Sequence, residues 1–140
     1  MACEGAGEVA VKRGLVEAVK REVLGSPAER VYLAVGRSST GRCVVERVVE
    51  CPNVARNPAL EFLADPECVY RIYMEAEREG REVVAIIHSH PAAPQPSLKD
   101  LRGMQRWPVP WIIFSSLNGS YAAWIVEGSE VKRLRVIEES

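Results

Sequence analysis

Residues 82–100 read EVVAIIHSHPAAPQPSLKD. Glu82 opens an unbroken apolar run, which predicts a central strand over residues 82–88. Side chains two apart on a strand share a face, so the rings of His88 and His90 project together and Ser89 points away. Three prolines stiffen residues 91–96 and limit where the chain can go next. Ser97 is placed to cap a helix over about residues 98–105, with Asp100 at its third position, one turn on and on the same face. Two imidazoles and one carboxylate can then converge on a single point. Three protein ligands with an open fourth position is the pattern of a catalytic rather than a structural zinc.

Residue usage points to the same stretch. The chain has only two histidines, His88 and His90, and only two aspartates, Asp65 and Asp100. A sequence that otherwise draws its acidic charge from glutamate places the shorter carboxylate at position 100, which suggests a geometric demand. The H-x-H spacing by itself also fits two surface or capping histidines. The Pro-rich loop followed by Ser97 and Asp100, with no other histidine in the chain, favours the metal site.

Working outward, residues 8–12 alternate weakly and predict a short first strand. Leu15, Val16, Val19 and Val23 recur at helical spacing before Gly25, which predicts a helix over residues 13–24. Residues 30–37 read as a largely buried strand, residues 38–41 as a turn, and residues 43–51 as its β-rich hairpin partner. Residues 52–64 read as an extended loop with a short strand around Phe62. Asp65-Pro66-Glu67 is a helix start, with Asp as the cap and Pro in the first turn, and Gly80 is its stop. Residues 109–116, 120–126 and 131–137 predict three closing strands. The expected class is α/β (α+β): one mixed sheet of six or more strands, two longer helices and one short one. Residues 1–140 form one domain in this reading, with residues 1–8 flexible.

Length and charge exclude other classes. A chain of 140 residues, 47% of them hydrophobic, can bury a core of one domain's size. A net charge of −1 argues against a polybasic binder of nucleic acid or membrane surfaces. The longest apolar run, residues 121–126, is far short of the ~20 residues that span a bilayer. The N-terminal segment lacks a basic region followed by an apolar stretch, which places the chain in the cytoplasm. Cys3, Cys43, Cys51 and Cys68 contain no C-x-x-C pair, so no zinc ribbon is indicated. Cys43 and Cys51 share one predicted strand and stand about 26 Å apart along it, too far to bridge. Cys68 is able to reach either by tertiary folding. A cytoplasmic disulfide is unusual outside hyperthermophiles, and the scarcity of Asn and Gln leans only weakly that way. The four are read as small buried hydrophobes.

Hydrolysis at such a metal needs a base. The chain has 17 glutamates, and spacing alone does not choose among them. Glu29 stands where the first long strand begins, after Ser26-Pro27-Ala28, and by itself also fits a solvated strand-entry residue.

Taken together these residues resemble the JAMM (MPN+) metalloprotease family. Its signature is an early Glu, then H-S/T-H-P, then S-x-x-D, and this chain reads HSHPAAPQPSLKD over residues 88–100. The family's Glu sits in a P-x-E segment with a glycine seven residues later. Here that is Pro27-Ala28-Glu29, with Gly36 at that distance. The resemblance covers essentially the whole chain. It implies a cytidine-deaminase-like JAMM/MPN domain in which His88, His90 and Asp100 bind one zinc ion. Glu29 would act as general base and then acid, and Ser97 would donate to the oxyanion. Two departures stand out. Six residues rather than seven separate His90 from Ser97, and Tyr32 occupies a position where the family strand commonly has glycine.

The resemblance further implies a peptidase or isopeptidase cutting after the C-terminal Gly-Gly of a ubiquitin-like modifier or sulfur-carrier protein. The chain lacks sizeable insertions of the kind that flank the core in ubiquitin-chain-specific members. The expected partner is therefore a small modifier, with neither nucleic acid nor membrane, and the oligomeric state stays open. A flexible tail could dock as an added strand against residues 53–62 and the 91–96 loop. Trp107 and Trp111 read first as core, and second as a platform for the tail. The rival reading is a non-catalytic MPN-type scaffold that keeps a metal site. A two-histidine, one-carboxylate iron oxygenase uses the same ligand types but needs neither Glu29 nor a Ser-capped helix.

Overall fold

The computed structural model describes residues 3–140. Its elements run β1 (Glu8–Lys12), α1 (Arg13–Val23), β2 (Val31–Ser39), β3 (Arg42–Cys51), α2 (Pro66–Arg78), β4 (Glu82–His90), α3 (Leu98–Arg106), β5 (Trp111–Ser115), β6 (Tyr121–Glu127) and β7 (Glu130–Glu139). The mixed α/β (α+β) class is as the sequence predicts. The sheet, however, closes on itself in the order β1-β3-β2-β4-β5-β6-β7. Short β1 makes the closure by pairing parallel to β3 on one side and to β7 on the other. Being short, β1 covers Arg42–Val45 of β3 and Arg135–Glu139 of β7 rather than the whole edge of either strand.

Alternation along the strands builds two cores. Tyr32 and Ala34 of β2 face a cluster covered by Val16, Val19 and Val23 of α1. Val31, Leu33 and Val35 face the other cluster, covered by Cys68, Ile72 and Ala76 of α2. Tyr32 therefore lies on the α1 side, buried, with its hydroxyl donating to Glu22 at 2.9 Å. It is a core tyrosine. Gly36 sits where the β2–β3 register shifts, and a Cβ there would fall 1.8 Å from the Val44 carbonyl oxygen, so only glycine fits.

Three expectations need correction. The cysteines are buried but not free. Cys3 bonds to Cys43 and Cys51 to Cys68, which ties the turn before β1 to β3 and the end of β3 to α2, partners brought together only in the fold. No strand forms around Phe62. The segment makes a single bridge, Asn53 to Ala64, because the Asn53 side chain takes up backbone groups that a ladder would otherwise pair. Asp65 does occupy the α2 cap position, with Pro66 next, but its side chain makes no capping bond. The flexibility expected of residues 1–8 falls partly on Met1 and Ala2, which lie outside the described residues. Cys3 and Ala6 are buried in the α1-side cluster, and Glu8 already begins β1. Among the described residues no helix is long and apolar enough to cross a membrane.

Candidate metal centre and substrate groove

β4 carries both histidines to the end of the sheet, between β2 and β5, where His88 pairs with Val31 and Ile113. The predicted alternation holds. Ser89 turns the other way, and its hydroxyl accepts the Arg30 N–H at 3.1 Å, tying β4 to the start of β2. Beyond the 91–96 loop, Ser97 caps α3 as the sequence predicts, with Asp100 N–H donating to Ser97 Oγ, and the structure adds a return bond from Ser97 N–H to Asp100 Oδ2. His88, His90 and Asp100 are all buried, and their ligating atoms lie within 4.8 Å of one another.

Each ring has one nitrogen spoken for. His90 Nε2 lies 2.8 Å from the Ala93 carbonyl oxygen. A carbonyl only accepts, so Nε2 carries the proton and Nδ1 keeps its lone pair. His88 Nδ1 lies 3.3 Å from the Ser89 carbonyl, so by the same argument the neutral form of this ring keeps its proton on Nδ1 and offers the Nε2 lone pair. That Nε2 is 3.1 Å from Asp100 Oδ1 yet lacks the alignment of a hydrogen bond, and it is a fully buried polar atom without a partner. An orphan of this kind is costly unless something electrophilic satisfies it. Two imidazole lone pairs and a carboxylate oxygen form a donor set suited to a divalent metal ion. Backbone carbonyls that orient ligand rings are a regular feature of metal sites.

Without a metal, the electrostatics favour a proton on His88. Burial pushes the His88 pKa down, but contact with Asp100 and with Glu29 outweighs it, and the value rises to about 9. Burial pushes Asp100 up, but His88 and the Ser97 N–H hold it below the ordinary carboxylate range. Both directions describe one coupling: without a metal, a proton on His88 is held between the carboxylates of Asp100 and Glu29, in the place a cation would take.

Glu29 enters from the segment before β2. Its carboxylate is buried and lies 3.6 Å from His88 Nδ1. Its backbone is pinned on both sides, N–H to the Pro58 carbonyl at 2.8 Å and C=O to the Asn53 side chain at 2.8 Å. Sequence reading missed Asn53 in this capacity. Its amide also donates to the Glu61 carbonyl and accepts from the N–H groups of Ala55 and Leu63. The contact of Phe62 with the site was missed as well: its ring lies 4.6 Å from that of His88, centroid to centroid. The six-residue loop is anchored by Trp124, whose indole donates to the Pro94 carbonyl, so the shorter connection still delivers Ser97 and Asp100 to the histidines.

A groove of about 500 Å³ leads away from Glu29, Ser97 and Asp100. One wall is residues 60–64 and the other is α3. Both tryptophans line the groove and pack on the α2-side core: Trp111 is buried against Phe62 and His88, and half-buried Trp107 donates to the Tyr73 hydroxyl.

Comparison with known proteins bears on this arrangement. The model of prokaryotic homologs of the JAB domain matches residues 10–127. A protein of Thermus thermophilus named "Probable TtuB-protein conjugate cleaving protease" is 41% identical over 123 residues, 86% of this chain and 78% of the relative. A protein of Pyrococcus furiosus named "Desampylase" is 46% identical over 85 residues, 59% of this chain and 60% of the relative. Among solved structures, a protein of Desulfitobacterium hafniense superposes with a TM-score of 0.81 at 22% identity, covering 94% of this chain and 92% of that one. A JAB1/MPN domain protein of Archaeoglobus fulgidus superposes with a TM-score of 0.58 at 21% identity, covering 94% and 99%. At those identities the structural likeness establishes the fold.

Proposed function

The chain belongs to the family of prokaryotic homologs of the JAB domain, and we propose that it is a zinc-dependent isopeptidase or peptidase that cuts after the C-terminal Gly-Gly of a ubiquitin-like modifier or sulfur-carrier protein. The observation that carries this reading is the orphaned His88 Nε2, buried beside Asp100 Oδ1 with the Glu29 carboxylate close by. Two relatives named for cleaving protein conjugates and for desampylation support the substrate class.

His88 through Nε2, His90 through Nδ1 and Asp100 through Oδ1 would hold the ion. When bound, zinc supplies a water acidified to a pKa of about 7 and a Lewis acid for the carbonyl. Glu29 takes the proton from the attacking water and returns it to the leaving amine. Its burial and the two backbone bonds at Glu29 keep the carboxylate at hand without solvent competing for it. The Ser97 hydroxyl spends a lone pair on the Asp100 N–H, so its own proton is free to donate to the developing oxyanion. The di-glycine tail lies extended in the groove between residues 60–64 and α3.

The cytoplasm remains the proposed location, and two disulfides there accord with the intracellular chemistry of hyperthermophiles. Incubation with fusions joined through a C-terminal Gly-Gly, with and without a chelator, tests the proposal. Metal-dependent release of the fused partner is the expected result. Stoichiometric zinc with no cleavage of any such fusion would instead leave a metal-holding scaffold.

A further inference from the structure

The groove is not uniform along its length. At the metal end it is lined by Glu29, Ser97 and Asp100, and along α3 by Lys99, Arg102 and Arg106. These three cations recur at helical spacing and form one stripe, while Met104 on another face of the same helix is buried in the α2-side core. Lys99 reaches across to Glu61 at 3.5 Å. Arg102 and Arg106 pair with no carboxylate among the described residues. Other arginines divide between those paired with a glutamate, such as Arg30, Arg42 and Arg81, and those without an ion pair among the described residues, such as Arg56 and Arg71, so what distinguishes Arg102 and Arg106 is their place on the groove. Two uncompensated guanidiniums facing a groove make an acceptor-seeking wall. The opposite wall contributes exposed Leu60 and Leu63.

We propose that this groove selects a modifier tail bearing an acidic side chain at the third or fourth residue before the scissile bond, held by Arg106 with Arg102 beside it. The inference rests on the hydrolase reading above and names the substrate class for the same site. The distance follows from the helix. Asp100 and Arg106 are separated by about 9 Å of axis at ~1.5 Å per residue. An extended tail advances ~3.3 Å per residue, so the two glycines take up about 7 Å and the third residue, at about 10 Å, comes abreast of Arg106, with Arg102 nearer the glycines and within side-chain reach. A glutamate or aspartate there meets two unpaired cations; an arginine or lysine meets like charge. The cationic stripe along α3 and a negative tail also speed encounter at low salt.

The test uses the zinc-loaded protein and fusions whose tails carry Glu, Gln or Arg at those positions before Gly-Gly, all with one neutral leaving group. The Glu tail should exceed the Arg tail in kcat/KM by about five- to tenfold, mainly through KM, with the gap narrowing as salt rises to ~0.5 M. Arg102→Glu with Arg106→Glu should reverse the order. The same tail peptides, labelled and titrated into zinc-loaded Glu29→Gln protein, give a binding readout that does not depend on turnover. Cleavage of all tails at equal kcat/KM overturns the charge assignment and leaves the hydrolase reading standing. Cleavage of none overturns the hydrolase reading, and the binding series then decides the inference: a Glu preference abolished by the double variant upholds it, and indifference ends it.

Discussion

Ser97 and Asp100 hold one another. Asp100 N–H donates to Ser97 Oγ at 3.1 Å, and Ser97 N–H donates to Asp100 Oδ2 at 2.9 Å. The exchange consumes one oxygen of the carboxylate and leaves Oδ1 turned to His88. One capping motif thus starts a helix, aims a ligand and presents a hydroxyl to the groove. The two residues should fail differently. Ser97→Ala removes a cap worth about 1 kcal/mol and an oxyanion donor worth roughly a hundredfold or more in kcat, with zinc retained. Asp100→Ala should lower zinc content, measured by metal analysis after dialysis. Full zinc in the Asp100 variant would mean that the ion sits elsewhere.

Glu29→Gln keeps the shape and the backbone bonds to Pro58 and Asn53 but removes the basic carboxylate. The expected outcome is unchanged zinc and melting temperature with kcat lower by about 10²–10⁴. Turnover at the wild-type level would remove Glu29 from the proton transfer.

Asn53 acts on the reaction only through Glu29 and the groove wall. Asn53→Ala leaves the carbonyls of Glu29 and Glu61 and the N–H of Leu63 without their partner. Each such loss costs about 1–3 kcal/mol if the group stays dry. Zinc affinity should hold while kcat falls and KM rises. A variant with lower stability but unchanged kcat and KM would show Asn53 to be structural alone.

These contrasts follow what was legible in the sequence. His88, His90, Ser97 and Asp100 are set by strand alternation, a short loop and a cap, all within one local stretch, so their convergence could be read before the fold was known. Asn53 and the Ala93 carbonyl could not. Their partners depend on how residues 53–63 lie over the start of β2, and on which nitrogen of His90 turns outward. The closed sheet was hidden for a similar reason: it depends on Glu8–Lys12 meeting the far end of the chain, Arg135 to Glu139, a pairing without local signature. The cysteine partners were likewise a matter of tertiary register.

The metal-free protein should betray the site through pH. His88 has a folded-state pKa of about 9, above the unfolded value of ~6.5. The contacts of its protonated ring therefore stabilise the fold fully below pH ~6.5, and that contribution is lost as pH rises through about 9. Asp100, held low, contributes above its unfolded value of ~3.9 and loses that contribution as pH falls further. Metal-free protein should melt at its highest temperature between these limits and lose stability from pH ~6.5 to 9. Zinc needs the neutral ring, so binding at pH 7 should release about one proton. Calorimetry in buffers of different ionisation enthalpy counts it; no proton released would contradict a protonated His88.

The two disulfides should separate stability from function. Cys51 and Cys68, 17 residues apart, staple the ends of the segment that carries Leu60 to Ala64 on the groove wall and the Pro58 carbonyl that holds Glu29. Cys3 and Cys43, 40 residues apart, pin the N-terminal segment to β3 in the α1-side core, away from the groove. Loop closure assigns the two bonds about 3 and about 4 kcal/mol respectively. Paired serine variants should therefore lower the melting temperature in both cases, somewhat more for Cys3 and Cys43. Only the Cys51 and Cys68 pair should also raise KM for a di-glycine-tailed substrate, because the wall it fixes is the one the tail lies against. Equal KM in both variants at a temperature where each is folded would show that the groove wall holds its shape without the bond, leaving Asn53 as its principal anchor.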